Sequence, residues 1–361
     1  ARRVWHGRAG PKTMARRSDT IAPMELEIGS HMPRRGAGAS KVVGRFAPTP
    51  SGRMHLGNVF SLLMAWESAR SQGGRVILRI EDLDPRARRR RCAQDLMRDL
   101  EWLGLSWDEG PYFQSERTEV YLEALERLEG RGLTYPCFCT RSELHAASAP
   151  HASDGTYVYR GTCRSLSPSD VARLRKLRPA AMRLHVPDAE DPAGTIGFSD
   201  RTYGSRHEVL ARNCGDFLVQ RSDGVVAYQL AVVVDDALMG VNEVVRGRDL
   251  LGSVARQSYL AHLLGLPTPV WAHVPLLVTP EGRRLSKRDH DLDLGVLRER
   301  GVGSAQIIGW LAHAVGLAER DEALSTEELL ERFSWDALVS HRDNVVVDDC
   351  PSFRTCPCGP S

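Results

Sequence analysis

Val42-Val43-Gly44-Arg45-Phe46, then Ala47-Pro48-Thr49-Pro50-Ser51-Gly52-Arg53-Met54, then His55-Leu56-Gly57-Asn58 is the stretch that decides how the rest of this 361-residue chain is read. The apolar run predicts a buried strand, and the segment with two prolines and a glycine predicts a loop. From about Gly57, the apolar positions Val59, Phe60, Leu62, Leu63, Trp66 and Ala69 predict one face of a helix that stops at Gly73-Gly74. Val76-Ile77-Leu78-Arg79-Ile80 is then a second strand. Strand, helix and strand in so short a span form a parallel βαβ unit, the opening of a doubly wound α/β sheet.

Farther along, Arg88 to Leu103 and Thr118 to Gly130 have helical periodicity, and Tyr135 to Arg164 is a compact cysteine-bearing patch. Asp216 to Gln220 and Val225 to Val234 flank Ser222-Asp223-Gly224, which predicts a hairpin. A helix is expected over Leu250–Leu264, a strand over Val270–Val278, and helices from Leu292 to Leu338. The expected division is a tail at 1–40, the first half of the sheet domain at 41–108, an insertion at 109–205 and the second half at 206–278. A loop and small helical domain at 279–345 and a tail at 346–361 complete it. Gly29-Ser30-His31-Met32 reads as a scar of tag removal and cloning, with Met32 near the natural start. The end has the composition of a tail; its Cys356-Pro357-Cys358 has the spacing of half a zinc site, but no second half lies nearby.

Composition narrows the class. Hydrophobic residues make up 42% and charged residues 26%, as in ordinary globular proteins. A net charge of +2 does not by itself mark a nucleic-acid binder. No apolar run approaches the roughly 20 residues of a membrane span, so the expected setting is the cytosol, without membrane contact. Eight cysteines in this length point to metal or free thiols before a disulfide framework.

Two elements carry the chemistry. At the strand–helix junction, Gly57 leaves room for a ligand against the backbone, the helix start offers N–H groups to an anion, and His55 can stabilise charge on a phosphate. Alone, His-x-Gly-Asn is also just a capping turn with a surface histidine. More than two hundred residues later, Gly282-Arg283-Arg284-Leu285-Ser286-Lys287-Arg288 is a polar loop whose Lys287 can offset charge on leaving phosphates. Alone, it is a solvated basic turn.

Together, His55-Leu56-Gly57-Asn58 and Arg284-Leu285-Ser286-Lys287-Arg288 resemble the two signatures of class I aminoacyl-tRNA synthetases. The departures at Asn58, Arg284, Leu285 and Arg288 leave the histidine and lysine in place. Gly44 to Gly52, Arg79-Ile80-Glu81-Asp82-Leu83-Asp84, Ala227 to Asp236 and Val245 to Leu250 resemble the glutamyl branch, in one order over about residues 42 to 320. The resemblance implies a split Rossmann-like parallel sheet with a zinc-bearing insertion and a small C-terminal helical domain. Because 73 residues follow Arg288, too few for an anticodon-binding half, the chain is similar to the shortened glutamyl-queuosine tRNA(Asp) synthetases.

That family implies ATP, L-glutamate and tRNA(Asp) carrying queuosine as partners, Mg²⁺ with ATP, one structural Zn²⁺, and a monomer. Activation of glutamate in this group proceeds without tRNA, whereas glutamyl-tRNA synthetases generally require it. Carried over by position, His55 and Lys287 are the catalytic pair, and His55, Gly57, Asn58, Ser286 and Lys287 meet ATP. Arg45, Phe46, Ala47, Pro48, Thr49, Glu81, Tyr228 and Arg246 meet glutamate: Arg45 takes a carboxylate, Glu81 the α-ammonium, and Arg246 is a second candidate for the γ-carboxylate. Two guanidiniums facing one substrate would reject glutamine, whose neutral amide leaves one poorly paired.

Cys137, Cys139 and Cys163 supply three thiolates for the metal. Residue chemistry nominates His151 or His145 as the fourth ligand; the family pattern, Cys-x-Cys followed by Tyr-x3-Cys, points to Tyr159. The arginines at 86 and 88–91 are a basic run, read equally as a solvated face or an RNA contact. Other readings are a shortened glutamyl-tRNA synthetase that charges a tRNA 3′ end, a different adenylyl-transferring enzyme, and a non-catalytic tRNA-binding relative.

Overall fold

A computed structural model of the chain describes residues 41–85, 90–146, 158–159, 161–283, 285 and 293–347. Both expected tails beyond these limits, Arg86, Arg88 and Arg89 of the basic run, His151, Ser286 and Lys287 lie outside the described residues. Arg90 and Arg91 are exposed at the start of a helix.

The opening unit forms as its pattern predicts. Strand β1 (Val43–Phe46) leads through the Pro-rich loop into helix α1 (Leu56–Ser71), and β2 (Arg75–Ile80) returns parallel to β1, Val43 opposite Arg75 and Phe46 opposite Leu78. The helix ends because Gly73 takes φ +63°, a left-handed conformation that a Cβ would disfavour. Helix α2 (Arg90–Trp102) crosses to β3 (Glu109–Phe113), which pairs parallel with β2. The sequence-based boundary at 108/109 therefore falls inside the sheet, and the insertion starts after β3.

The insertion begins with α3 (Thr118–Gly130), β4 (Thr134–Cys137), α4 (Arg141–Ala146), α5 (Pro168–Arg175) and β5 (Ala181–Leu184). Then come β6 (Thr195–Asp200), β7 (Gly204–Val209), α6 (Leu210–Asn213) and β8 (Phe217–Gln220). Strands β4, β5 and β8 make a separate antiparallel sheet, so β8 belongs to the insertion although it lies past residue 205. Strands β6 and β7 already join the main body, and after β8 the chain returns to it with α7 (Tyr228–Leu238), β9 (Glu243–Gly247), α8 (Val254–Leu264) and β10 (Val270–Val274), the last of which pairs with β6.

The hairpin expected over 216–234 is shorter than its pattern suggests. The turn itself forms, with Arg221 N–H donating to the Val225 carbonyl at 2.8 Å and Ala227 N–H to the Val219 carbonyl at 2.9 Å around the Gln220–Val226 bridge, but the second strand does not continue, and Val232, Val233 and Val234 sit in helix α7. Their β-branched preference yields to burial, because the helix has apolar neighbours on most sides. The expected strand over 270–278 is split by Pro275 into β10 and the short β11 (Leu277–Val278).

The second sheet has the order β7-β6-β10-β9, with β9, β10 and β6 parallel. It abuts the first along β1 and β9: the Asn242 backbone N–H donates to the Val43 carbonyl at 3.1 Å, and the Val43 N–H donates to Asn242 Oδ1 at 2.8 Å. Strand order thus runs β3-β2-β1-β9-β10, reversing between β1 and β9. At such a reversal the loops leaving the two strands diverge and open a crevice at their carboxyl ends.

Both faces are covered, which explains why the strands read as continuous apolar runs. Val76, Leu78, Ile80, Val245 and Val274 face α1, α2 and the C-terminal helices, whereas Ile77, Val244 and Trp271 face α3, α7 and α8. Those C-terminal helices are α9 (Leu294–Glu299), α10 (Ser304–His313), α11 (Thr326–Leu330) and α12 (Trp335–Ser340), followed by β12 (Val345–Val346) beside β11. Leu297, Ile307, Leu311, Leu329 and Leu338 share one core with α1, so this part is packed on the sheet rather than standing as an independent unit. Among the described residues no helix is long and apolar enough to cross a membrane.

Glu67 on α1 breaks the apolar pattern. It is fully buried, and among the described residues neither carboxylate oxygen has a hydrogen-bond partner. Burial, with Glu327 adding like charge, pushes its pKa up to about 9 from 4.5. Between those values the folded chain keeps a proton that the unfolded chain releases, so this group's contribution to stability is complete below about 4.5 and is lost as pH rises through about 9. Glu67→Gln is therefore expected to raise the melting temperature, by more at about pH 8 than at about pH 5. A gap that does not widen with pH would show Glu67 ionised and paired.

Candidate active site

The crevice between the carboxyl ends of β1 and β9 has a volume of about 500 Å³, in the range that takes small ligands. Its walls include Arg45, Ala47, Pro48, Thr49, His55, Asn58, Glu81, Tyr228 and Arg246. These nine positions, drawn from segments up to two hundred residues apart, are all on the predicted list. Two other described positions on that list, Phe46 and Gly57, are not in the wall. Phe46 points its fully buried side chain into the core with α1, as the alternation of a strand requires.

Gly57 also accommodates a protein group. A Cβ there would lie 3.1 Å from Cε1 and Nδ1 of His55, so the missing side chain makes room for the imidazole itself. His55 is the N-cap residue of α1, with extended backbone, and its ring borders the crevice beside the first turn. The positive end of the helix dipole at that turn favours an anion, while the Asn58 and Val59 N–H groups donate to the His55 carbonyl at 2.9 and 3.2 Å.

The second signature returns to the same place. Leu285 N–H donates to the Leu277 carbonyl at 3.2 Å, and its Cβ lies 4.0 Å from where a Gly57 Cβ would be. Past residues 286–292, Asp293 forms an antiparallel bridge with His55, and Leu294 N–H donates to the Met54 carbonyl at 3.0 Å. Asp293 also caps α9, accepting from the N–H groups of Gly295 and Val296. The chain on both sides of Ser286 and Lys287 is thereby fixed against the His55–Gly57 turn.

Below the crevice lies a buried charge network. Arg79 is fully buried and donates to Asp236 at 2.6 Å and Glu81 at 3.2 Å, with Asp235 at 3.7 Å. Burial works against its charge, but Asp236, Glu81 and Asp235 outweigh it and hold its pKa above the usual arginine value. Asp235 in turn accepts from Gln114, Arg117 and Tyr121 at 2.8–2.9 Å. Arg45 donates to the Val245 carbonyl at 2.9 Å and sits 3.8 Å from Asp236. Burial raises the pKa of Glu81 while Arg79 and Arg45 pull it down. Burial and the Glu81 charge raise that of Tyr228, keeping it a neutral phenol.

Arg246 is held differently. Its guanidinium donates to His273 Nε2 at 3.0 Å, Gln257 Oε1 at 2.9 Å and the Leu250 carbonyl at 3.1 Å, none of them a carboxylate. The crevice thus combines cations at Arg45 and Arg246, an anion at Glu81 and a phenol at Tyr228. That set matches a small zwitterion bearing an extra carboxylate.

Away from the crevice, the insertion gathers Cys137, Cys139 and Cys163, whose sulfurs lie within 4.8 Å of one another. Cys139 and Cys163 Sγ are 3.6 Å apart, and the Tyr159 hydroxyl is 3.5 Å from both Cys137 and Cys139 Sγ. A tetrahedral ion with zinc-like bond lengths requires about 3.8 Å between sulfurs and about 3.5 Å from sulfur to oxygen, so the donor set fits a metal. The Arg183 guanidinium stacks over the Tyr159 ring at 3.9 Å, a cation beside what would be an anionic ligand set. The side chain of His145, like His151, is outside the described residues.

Sequence reasoning missed the supporting residues. Asp235 and Asp236 stood inside a quoted motif without a role, and their signal was a pair of acidic residues ending an apolar helix. Asp200, Gln257 and His273 had no local signal, since each is a single polar residue in an otherwise unremarked segment.

Compared with known proteins, residues 41–349 match the family of class I tRNA synthetases (E and Q), catalytic domain. A glutamyl-Q tRNA(Asp) synthetase of Symbiobacterium thermophilum is 47% identical over 302 residues, covering 80% of this chain and 91% of its own. That of Nitratidesulfovibrio vulgaris is 47% identical over 285 residues, covering 76% and 86%. Among solved structures, a glutamate tRNA ligase of Elizabethkingia meningosepticum in complex with its amino acid superposes with a TM-score of 0.70 at 27% identity, covering 88% of this chain and 68% of that one.

The cysteine cluster is expected to retain about one equivalent of divalent metal through purification, measured by elemental analysis. Cys163→Ser should lose most of it, and Tyr159→Phe should weaken retention against a chelator by on the order of tenfold. Full metal content in Cys163→Ser would rule out that ligand set.

Proposed function

This chain belongs to the class I tRNA synthetases of the E and Q family, and within it to the glutamyl-Q tRNA(Asp) synthetases, which are ligases; on that premise we propose that it converts L-glutamate and ATP to glutamyl-adenylate without RNA, then transfers glutamate to queuosine in the anticodon of tRNA(Asp). The observation that carries this reading is the return of Leu285 and Asp293 to the His55–Gly57 turn, at a crevice whose other wall holds Arg45, Glu81, Tyr228 and Arg246. Lys287 follows Leu285 by two residues, and two residues of chain reach no more than about 7 Å.

In the first step a glutamate α-carboxylate oxygen attacks the α-phosphorus of ATP, an acyl–phosphate bond forms, and pyrophosphate departs with the bonding electrons. Arg45 and Arg246 hold substrate carboxylate, Glu81 meets the ammonium, and Ala47 to Thr49 and Tyr228 complete the pocket. His55, the α1 N-terminus with Asn58, and Ser286 with Lys287 meet the triphosphate and stabilise its developing charge. Mg²⁺ accompanies the nucleotide. In the second step a queuosine hydroxyl attacks the activated carbonyl, loses its proton, and AMP leaves. Cys137, Cys139, Tyr159 and Cys163 hold one structural zinc that braces the insertion. The proposed acting form is a monomer in the cytosol.

Glutamate-dependent ATP–pyrophosphate exchange, with no RNA present, is the test. Exchange is expected with glutamate, and with glutamine at a rate lower by on the order of a hundredfold or more. His55→Ala should lower kcat by about 10- to 1,000-fold with little change in glutamate KM. No exchange without RNA, or equal rates with both amino acids, would reject the assignment. Labelled glutamate should map to the anticodon fragment of tRNA(Asp); label at the 3′ end would instead identify a shortened glutamyl-tRNA synthetase.

A further inference from the structure

Arg246 and His273 are register partners on the neighbouring parallel strands β9 and β10, and both are buried. His273 Nδ1 lies 2.6 Å from Asp200 Oδ2, at the end of the next strand, β6. Asp200 is itself fixed, because its Oδ1 accepts from the N–H groups of Thr202 and Tyr203 at 3.0 Å each. These partners leave one choice of tautomer. A carboxylate only accepts, so Nδ1 must carry the proton; the Arg246 Nε–H only donates, so Nε2 must accept. Burial also holds the pKa of His273 down to about 4, against the pull of Asp200, and so keeps the ring neutral.

The other side of the guanidinium is oriented in the same way. Gln257 uses its oxygen for Arg246 and its nitrogen for Gln229 Oε1 at 2.8 Å, and Gln229 donates to Ser253 Oγ at 3.2 Å. Among the described residues, three of the five guanidinium N–H donors are thus used, on three neutral acceptors, which leaves two for a ligand. The contrast with Arg79, which is matched by three carboxylates, is sharp.

We propose that Asp200, His273 and Gln257 are positioning residues that fix Arg246 through neutral acceptors only, so that its charge stays uncompensated for the carboxylate of the amino-acid substrate. This rests on the reading of Arg246 as a glutamate contact. The imidazole is the device: it lets the Asp200 carboxylate orient the arginine while keeping the anion one ring away from it. A carboxylate placed directly on Arg246 would hold the side chain equally well and compete with the substrate.

Gln257→Glu is the discriminating variant. It keeps the acceptor for Arg246, and a flip of the Gln229 amide toward the Ser253 hydroxyl restores the donor that Gln257 loses, so it should fold with a nearly unchanged melting temperature and raise the glutamate KM in ATP–pyrophosphate exchange at least tenfold. ATP KM should stay within twofold and kcat within threefold. Asp200→Asn, which releases the tautomer, should raise glutamate KM in the same selective way, and His273→Gln, which keeps an acceptor, should be less impaired than His273→Leu. A folded Gln257→Glu protein with unchanged glutamate KM, or with glutamate and ATP KM rising together, overturns the proposal while the unaltered protein's activity leaves the assigned function standing. An unaltered protein with no glutamate-dependent exchange and no glutamate-induced rise in melting temperature overturns the assigned function, and this proposal falls with it.

Discussion

A guanidinium without access to water sits in the middle strand of the first sheet, and the architecture around the crevice follows from the need to neutralise it. Arg79 finds Asp236 and Asp235 at the end of α7, over 150 residues later in the chain, and Glu81 on the loop that leaves its own strand. Breaking such a buried pair typically costs about 3–5 kcal/mol, because the abandoned charge cannot reach solvent. Satisfying Arg79 therefore fixes the position of α7 against the sheet. It also places Tyr228 at the start of that helix, and Glu81 at the crevice, before any substrate arrives. The same Asp236 lies near Arg45, so part of the pocket's cationic wall shares its counter-charge with the foundation.

Local pattern was enough for whatever is local. The β1 strand, the span of α3 and the stop at Gly73 could be read because alternation, amphipathic period and a left-handed glycine act over a few residues. The pocket positions Arg45, Glu81, Tyr228 and Arg246 were legible only through motif resemblance, since nothing in their neighbourhoods says that they converge. Helix α7 was misread because a run of three valines favours a strand until burial on most sides is known. The strand pairing of β6 with β10 joins segments about 70 residues apart and has no local trace. Glu67 shows the reverse failure: a glutamate in a helix reads as solvent-facing, and only packing reveals that it is enclosed.

The insertion is tied down by one carboxylate as well as by its strands. Asp216, almost fully buried, receives two hydrogen bonds from Arg164, one from the Val186 N–H and one from the Tyr135 hydroxyl. Its own carbonyl accepts from Arg183, the residue stacked on Tyr159. The cysteine cluster is thus connected to β8, the last strand before the chain returns to the crevice through α7. Arg221, following β8, reaches Asp84 of the acidic loop at 2.9 Å and links the two modules a second time. A continuous set of contacts thus runs from the cluster to the loop that carries Glu81.

The contacts that join β1 to β9 connect residues 199 and 200 positions apart. Contacts of such long sequence separation form late and slow folding. During synthesis, the first half of the pocket emerges from the ribosome long before its opposite wall has been translated. Neither ATP nor an amino acid can then act as a template for the early stages, and the intervening insertion has to organise without their help. A complete pocket thus exists only once both halves of the sheet have paired.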